Sequence, residues 1–134
     1  MRYRHLSYRY TMIAATGPLR LFGSAGRIAV TVGEPRWRPD TDVYETDTAI
    51  VIVVDLAGVD DQDIEVMLFE DVLVVEGERR LPSCAADAVY HAATIRQGPF
   101  RVAVALPASV DPEGIEGHCE RGLLRIALPK ARRS

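Results

Sequence analysis

Aromatic residues, cysteines and long apolar runs are all scarce in this chain. Phe, Trp and Tyr make up 7% of the 134 residues, so aliphatic side chains have to build the core. The two cysteines, Cys84 and Cys119, form no C-x-x-C pair. Two thiols do not make the disulfide framework of a small secreted domain, and a reducing cytoplasm is the expected setting. No uninterrupted apolar stretch reaches the roughly 20 residues that span a bilayer. The first residues are Arg-rich and free of acids, as some transit peptides are, but Pro18, Arg20 and several glycines break up any apolar run.

Catalytic signatures are missing too. There is no G-x-x-x-x-G-K-S/T loop and no G-x-G-x-x-G after a strand, so nothing is shaped to cradle phosphate. None of Ser7, Ser24, Ser83, Ser109 and Ser134 sits in a G-x-S-x-G elbow. His91, His118, Cys84 and Cys119 are the only imaginable metal set outside the first residues, yet His118 and Cys119 are neighbours on a strand-like stretch and point to opposite faces. Asp60, Asp61, Asp63, Glu70 and Asp71 read as solvated turn acids. No enzyme, cofactor or metal site is expected.

What is present is a body of β character behind a basic arm. The 16 basic and 19 acidic side chains give a net charge of −3, too near neutrality for a general nucleic-acid binder. All of Arg2, Arg4, Arg9, Arg20 and Arg27 precede Glu34, the first acid, so the remainder carries 11 − 19 = −8. Such an arm can meet nucleic acid, anionic lipid or the acidic body itself, and the body is the preferred reading. The arm spans residues 1–35. Within it Ile28, Val30 and Val32 alternate with small or polar residues. Pro35 and Pro39 flank Trp37 and stiffen the joint that follows.

From there the chain is a series of short strands. Residues 49–56 form a β-branched run, apolar on both parities, as a central strand requires. Ile64, Val66 and Leu68 alternate along a strand, Glu70-Asp71 makes a tight turn, and residues 72–76 return as the second half of a hairpin. Residues 79–97 lose the pattern, with Val89-Tyr90-His91 a short strand-like island in a long connection. Phe100, Val102, Val104 and Leu106 alternate cleanly, as do Leu124, Ile126 and Leu128. Gly58, Gly77, Gly98 and Gly122 punctuate strand ends. The layout predicts an all-β fold, an antiparallel immunoglobulin-like β-sandwich over residues 36–130 with an N-terminal arm and a tail of residues 131–134.

The order of these landmarks resembles the small heat shock proteins, which carry the α-crystallin domain. The matching segments are Pro39-Asp-Thr-Asp-Val-Tyr-Glu-Thr46, Val53-Val-Asp-Leu-Ala-Gly-Val59, Asp63-Ile-Glu-Val66, Leu73-Val-Val-Glu-Gly-Glu-Arg79, Gly98-Pro-Phe100, Ala105-Leu-Pro107 and Gly122-Leu-Leu-Arg-Ile-Ala-Leu-Pro-Lys130. Each is weak alone, and their order is specific. Departures include Ala57 where the family often has Pro, Thr94 and Ile95 at a Glu-Arg pair, and Val102 at an arginine. The family's C-terminal I-x-I/V anchor finds no match in Ala131-Arg132-Arg133-Ser134.

The resemblance implies an ATP-independent holdase that binds unfolded client proteins, assembles as a homodimer and a larger oligomer, and uses neither nucleic acid nor membrane. The alternative is a co-chaperone or adaptor of the p23/CS type, which shares the sandwich. The resemblance further implies strand exchange between Val89, Tyr90 and His91 of one copy and the edge at Asp42, Val43 and Tyr44 of another. It places an anchor groove between residues 64–68 and 116–120, with Val66, Leu68 and Cys119 as lining. The competing reading turns Val66 and Leu68 into the core. Ile28 and Val30 are spaced to fill that groove in place of the missing anchor, or else form the domain's own first strand.

Overall fold

The fold was obtained as a computed structural model, which describes residues 4–5 and 36–132. The arm segment holding Ile28 and Val30 lies outside the described residues. Eight strands appear among those described: β1 (Arg4–His5), β2 (Thr41–Glu45), β3 (Ala49–Asp55), β4 (Ile64–Phe69), β5 (Val72–Arg79), β6 (Gly98–Ala105), β7 (Glu116–Glu120) and β8 (Leu123–Pro129). They form two antiparallel sheets. One has the order β1-β7-β8-β3-β2 and the other β4-β5-β6.

The alternation in the sequence is what lets these sheets close on each other. Ile50, Ile52 and Val54 of β3, Val66 and Leu68 of β4, Leu73 and Val75 of β5, Phe100, Val102 and Val104 of β6, and Leu124, Ile126 and Leu128 of β8 point into one shared cluster. Successive strand residues face opposite ways, so each strand gives every second side chain to the cluster. No polar or charged side chain is buried among the described residues. The core therefore carries no desolvated polar group to compensate.

Two tight hairpins set the register. Glu70 and Asp71 join β4 to β5, with Phe69 opposite Val72 and Glu70 at φ 51°. Arg121 and Gly122 join β7 to β8 with φ of 54° and 81°, the left-handed pair that matches strand twist in a two-residue hairpin. Gly77 differs from the punctuating role read from the sequence. It lies inside β5, and a Cβ there would stand 1.9 Å from the Asp63 carbonyl oxygen. Its bare backbone lets the short 3-10 turn at Asp61–Asp63 press onto the sheet.

Trp37 fastens the joint to the sandwich. Its backbone bridges β6 in parallel at Phe100, donating to the Pro99 carbonyl and accepting from the Arg101 amide, both at 3.1 Å. The indole N–H reaches the Gly98 carbonyl at 3.1 Å, and the ring meets Phe100 edge-on at 5.5 Å. The outer edge of β6 is thereby partly paired. From Trp37 the chain reaches β2 within four residues, so β6 and β2 share one side of the sandwich. β4 and β7 share the other.

Candidate functional site

The chemistry offered by the fold lies at strand edges rather than in a pocket. Among the described residues β2 pairs with β3 alone, which leaves its second edge as a template for another strand. Val43 sits opposite Ile52 and Tyr44 opposite Val51, which places them on opposite faces. Both keep large apolar area in water, at 44% and 46% exposure. The edge is held firmly. The Tyr44 hydroxyl accepts from the Arg125 guanidinium at 3.2 Å, and Lys130 pairs with Glu45 at 2.6 Å.

The long connection between β5 and β6 holds no strand in the single chain. Val89 and Tyr90 stand 75% and 67% exposed. His91 beside them is exposed as well. No described strand pairing or hydrogen bond joins residues 89–91 to residues 42–44 within the chain. The tip carries one local contact: the Tyr90 hydroxyl donates to Cys84 Sγ at 3.5 Å. That bond, followed by slight desolvation, raises the phenol above its ordinary pKa.

The base of this connection is stapled by a residue the sequence reading passed over. The Arg79 guanidinium donates to the Arg96 carbonyl at 2.9 Å and to the Ala57 carbonyl at 3.1 Å, and it stacks 4.5 Å from the Trp37 ring centroid. One side chain thus ties the loop's return, the end of β3 and the joint together. The signal available in the sequence was Trp37 itself, a lone tryptophan between two prolines, which needed a partner for its ring face.

On the opposite side of the sandwich, Val66 and Leu68 are each 1% exposed and belong to the main cluster. Burial assigns both to the core of the single chain, in place of an open groove lining, because the opposing sheet closes over the face of β4 that carries them. Cys119 is half-buried and packs against the same cluster from β7. The edge of β7 is not bare: β1 pairs with it, Arg4 opposite Cys119 and His5 opposite His118. That edge accepts an extended piece of the arm.

One turn acid, Asp63, is engaged with a basic side chain, and so is Glu76 on β5. Arg80 reaches Asp63 at 3.3 Å, and Glu76 receives both Arg36 at 2.5 Å and Arg101 at 3.4 Å. The cleft that they border, about 670 Å³, is open and lined mainly by charged groups. Among the described residues no group of His, Cys, Asp and Glu side chains is arranged to hold a metal ion, and no helix is long and apolar enough to cross a membrane.

Similarity to known proteins agrees with this architecture. The chain is 30% identical over 92 residues to small heat shock protein C2 of Rickettsia felis, covering 69% of this chain and 60% of that protein. It is 35% identical over 98 residues to the spore protein SP21 of Stigmatella aurantiaca, covering 73% and 58%. The chain thus spans somewhat less than two thirds of the length of these relatives. The crystal structure of hspA from Xanthomonas axonopodis superposes with a TM-score of 0.67 at 32% identity, over 75% of this chain and all of that one. Residues 42–134 match the profile of the Hsp20/alpha crystallin family. With the two-sheet sandwich and the ordered landmarks from Pro39 to Lys130, this shows that the chain belongs to the Hsp20/alpha crystallin family, the small heat shock proteins.

Proposed function

We propose that this protein is an ATP-independent holdase, a non-enzymatic chaperone that binds apolar surface on unfolding clients and keeps it from self-association. The observation that carries the reading is the pairing of a closed apolar core with apolar side chains left in water at an open edge and a long loop: Val43 and Tyr44 on β2, Val89 and Tyr90 beyond β5. Exposed apolar surface of this kind marks interaction sites.

The working unit in this reading is a homodimer that exchanges strands. Residues 89–91 of one copy add to residues 42–44 of its partner, which pairs the free edge of β2 and takes Val89 and Tyr90 out of water. A second docking line runs along the β4 and β7 side, where Cys119 packs against the cluster that holds Val66 and Leu68. The pairing of β1 with β7 supports an extended segment as its occupant. Two free thiols fit a reducing compartment, and we place the protein in the cytoplasm.

The test is suppression of aggregation. A heat-labile client is warmed with the purified protein in the absence of nucleotide, and light scattering is followed. Suppression at near-stoichiometric chaperone without ATP is expected. Undiminished scattering, with effect only when an ATP-driven chaperone is added, would replace the holdase by the adaptor reading.

A further inference from the structure

The backbone hydrogen bonds of β2 fix which of its residues an incoming strand can bond. The Thr46 amide donates to the Ala49 carbonyl at 2.8 Å, and the Asp55 amide to the Asp40 carbonyl at 3.0 Å. Bonded and non-bonded pairs alternate along an antiparallel ladder. Asp42 and Tyr44 therefore turn their backbone groups to β3, while Thr41, Val43 and Glu45 turn theirs to the open edge. Side chains alternate as well. Asp42 and Tyr44, opposite Val53 and Val51, lie on the outer face of the sheet, and Val43, opposite the core residue Ile52, lies on the inner one. Asp42 and His91 are both exposed, and neither forms an ion pair among the described residues.

We infer that residues 89–91 join β2 of a second copy as an antiparallel strand in one register, with Val89, Tyr90 and His91 opposite Tyr44, Val43 and Asp42, and that the His91–Asp42 pair links the exchange to protonation. This rests on strand exchange as the dimer contact. The register follows from complementarity. Val43 is the middle one of the three residues whose backbone faces the edge, so the residue opposite it exchanges both backbone bonds with it. The flanking pairs are then non-bonded ones, in which side chains stand closest, with Cα atoms about 4.5 Å apart. In this register those close pairs are Val89 with the Tyr44 ring and His91 with the Asp42 carboxylate, one apolar and one charged. Small Ala88 and Ala92 fall opposite Glu45 and Thr41. A parallel segment would set Val89 against Asp42 and His91 against the Tyr44 ring. A slip of one residue would send Tyr90 to the outer face and bring His91 opposite Val43 or Thr41.

The surroundings of the pair decide the sign. On the outer face of β2, Asp40 and Tyr44 flank Asp42. On β3, Val53 lies beside it and Asp55 is bonded to Asp40. Arg125 of β8 lies beyond Val53 and donates to the Tyr44 hydroxyl. Arg38 and Arg96 share a cleft with Asp40 and Asp55, and Asp87 lies four residues before His91 in its own loop. Asp42 is the only one of these charges set directly across from the imidazole. A carboxylate there favours the imidazolium, so the dimer binds more protons than two separate chains. Imidazoles titrate between about pH 5 and 8, above the carboxylate range. The stabilisation is present at pH 6 and lost as the pH rises to 8. Exposed ion pairs are each worth a factor of roughly two to five, and a two-fold dimer holds two, so the dimer Kd should rise about tenfold over that interval.

Cysteine pairs in the full-length chain, with Cys84 and Cys119 replaced by serine, read the register. Val89→Cys/Tyr44→Cys should form an intermolecular disulfide under mild oxidation, seen as a covalent dimer. Faster bridging in Val89→Cys/Val43→Cys or Val89→Cys/Glu45→Cys overturns the register and leaves strand exchange standing. No bridge in any of the three, in a protein that is dimeric, overturns strand exchange itself and this inference with it. Dimer dissociation constants from analytical ultracentrifugation at pH 6 and pH 8, at one salt concentration, read the proton link. The tenfold difference should vanish in His91→Gln and in Asp42→Asn while both stay dimeric. A pH effect that survives either substitution, or none in the unaltered protein, refutes the link.

Discussion

Truncating Val66 distinguishes a core residue from a docking residue. Val66 is 1% exposed and faces the cluster shared by both sheets, so Val66→Ala removes two methyl groups from a packed interior. The lost transfer energy is about 1.6 kcal/mol at ~0.8 kcal/mol per carbon. The space left behind raises the cost to about 2–3 kcal/mol, because a sandwich pinned by two tight hairpins relaxes only in part. For a domain of this size each kcal/mol lowers Tm by roughly 4–8 °C, so a fall of ~10–20 °C is expected. Val66→Asp goes further. It buries a carboxylate among aliphatic groups, a penalty of several kcal/mol that approaches the whole stability of a domain, and the protein should not fold. The assay pairs thermal melting by circular dichroism with size-exclusion chromatography and light scattering below the melt. Val66→Ala should melt early with an unchanged assembly. An unchanged melt with a smaller assembly would refute the burial argument and return Val66 to a groove open to docking.

Removing residues 83–91, with Val89 and Tyr90 in water at present, should convert a dimer to a monomer by light scattering; a fully dimeric product refutes strand exchange. Gly77→Ala should cost about 3 kcal/mol or more in urea denaturation, since the new Cβ would overlap the Asp63 carbonyl and overpacking strains a fixed backbone; a loss below about 1 kcal/mol would mean that the turn moves freely. Arg79→Met keeps the aliphatic stem but removes both carbonyl contacts and the stacking on Trp37. It should red-shift the emission of this single tryptophan and speed amide exchange at residues 94–97, with stability lowered by about 1–2 kcal/mol; unaltered emission and exchange would show that the staple is not held in solution.

The sequence alone determined the inward sets of β6 and β8, because period-two alternation over Phe100 to Leu106 and Leu124 to Leu128 has one solution that takes the apolar side chains out of water. It also determined the hairpin at Glu70-Asp71, where only two residues separate paired strands. Ordered landmarks carried the family. Tertiary structure decided what periodicity does not encode. Val66 and Leu68 have the same parity whether they face a groove or a core, and only the opposing sheet settles which. Gly77 reads as a strand end until the carbonyl of Asp63, far off along the chain, comes to rest against it. Arg79, one charged residue among many in sequence, becomes a staple because folding brings Trp37, Ala57 and Arg96 around it. Val74 looks like one more core valine in an apolar run. Its outward direction follows only once the sheets have chosen their inner faces.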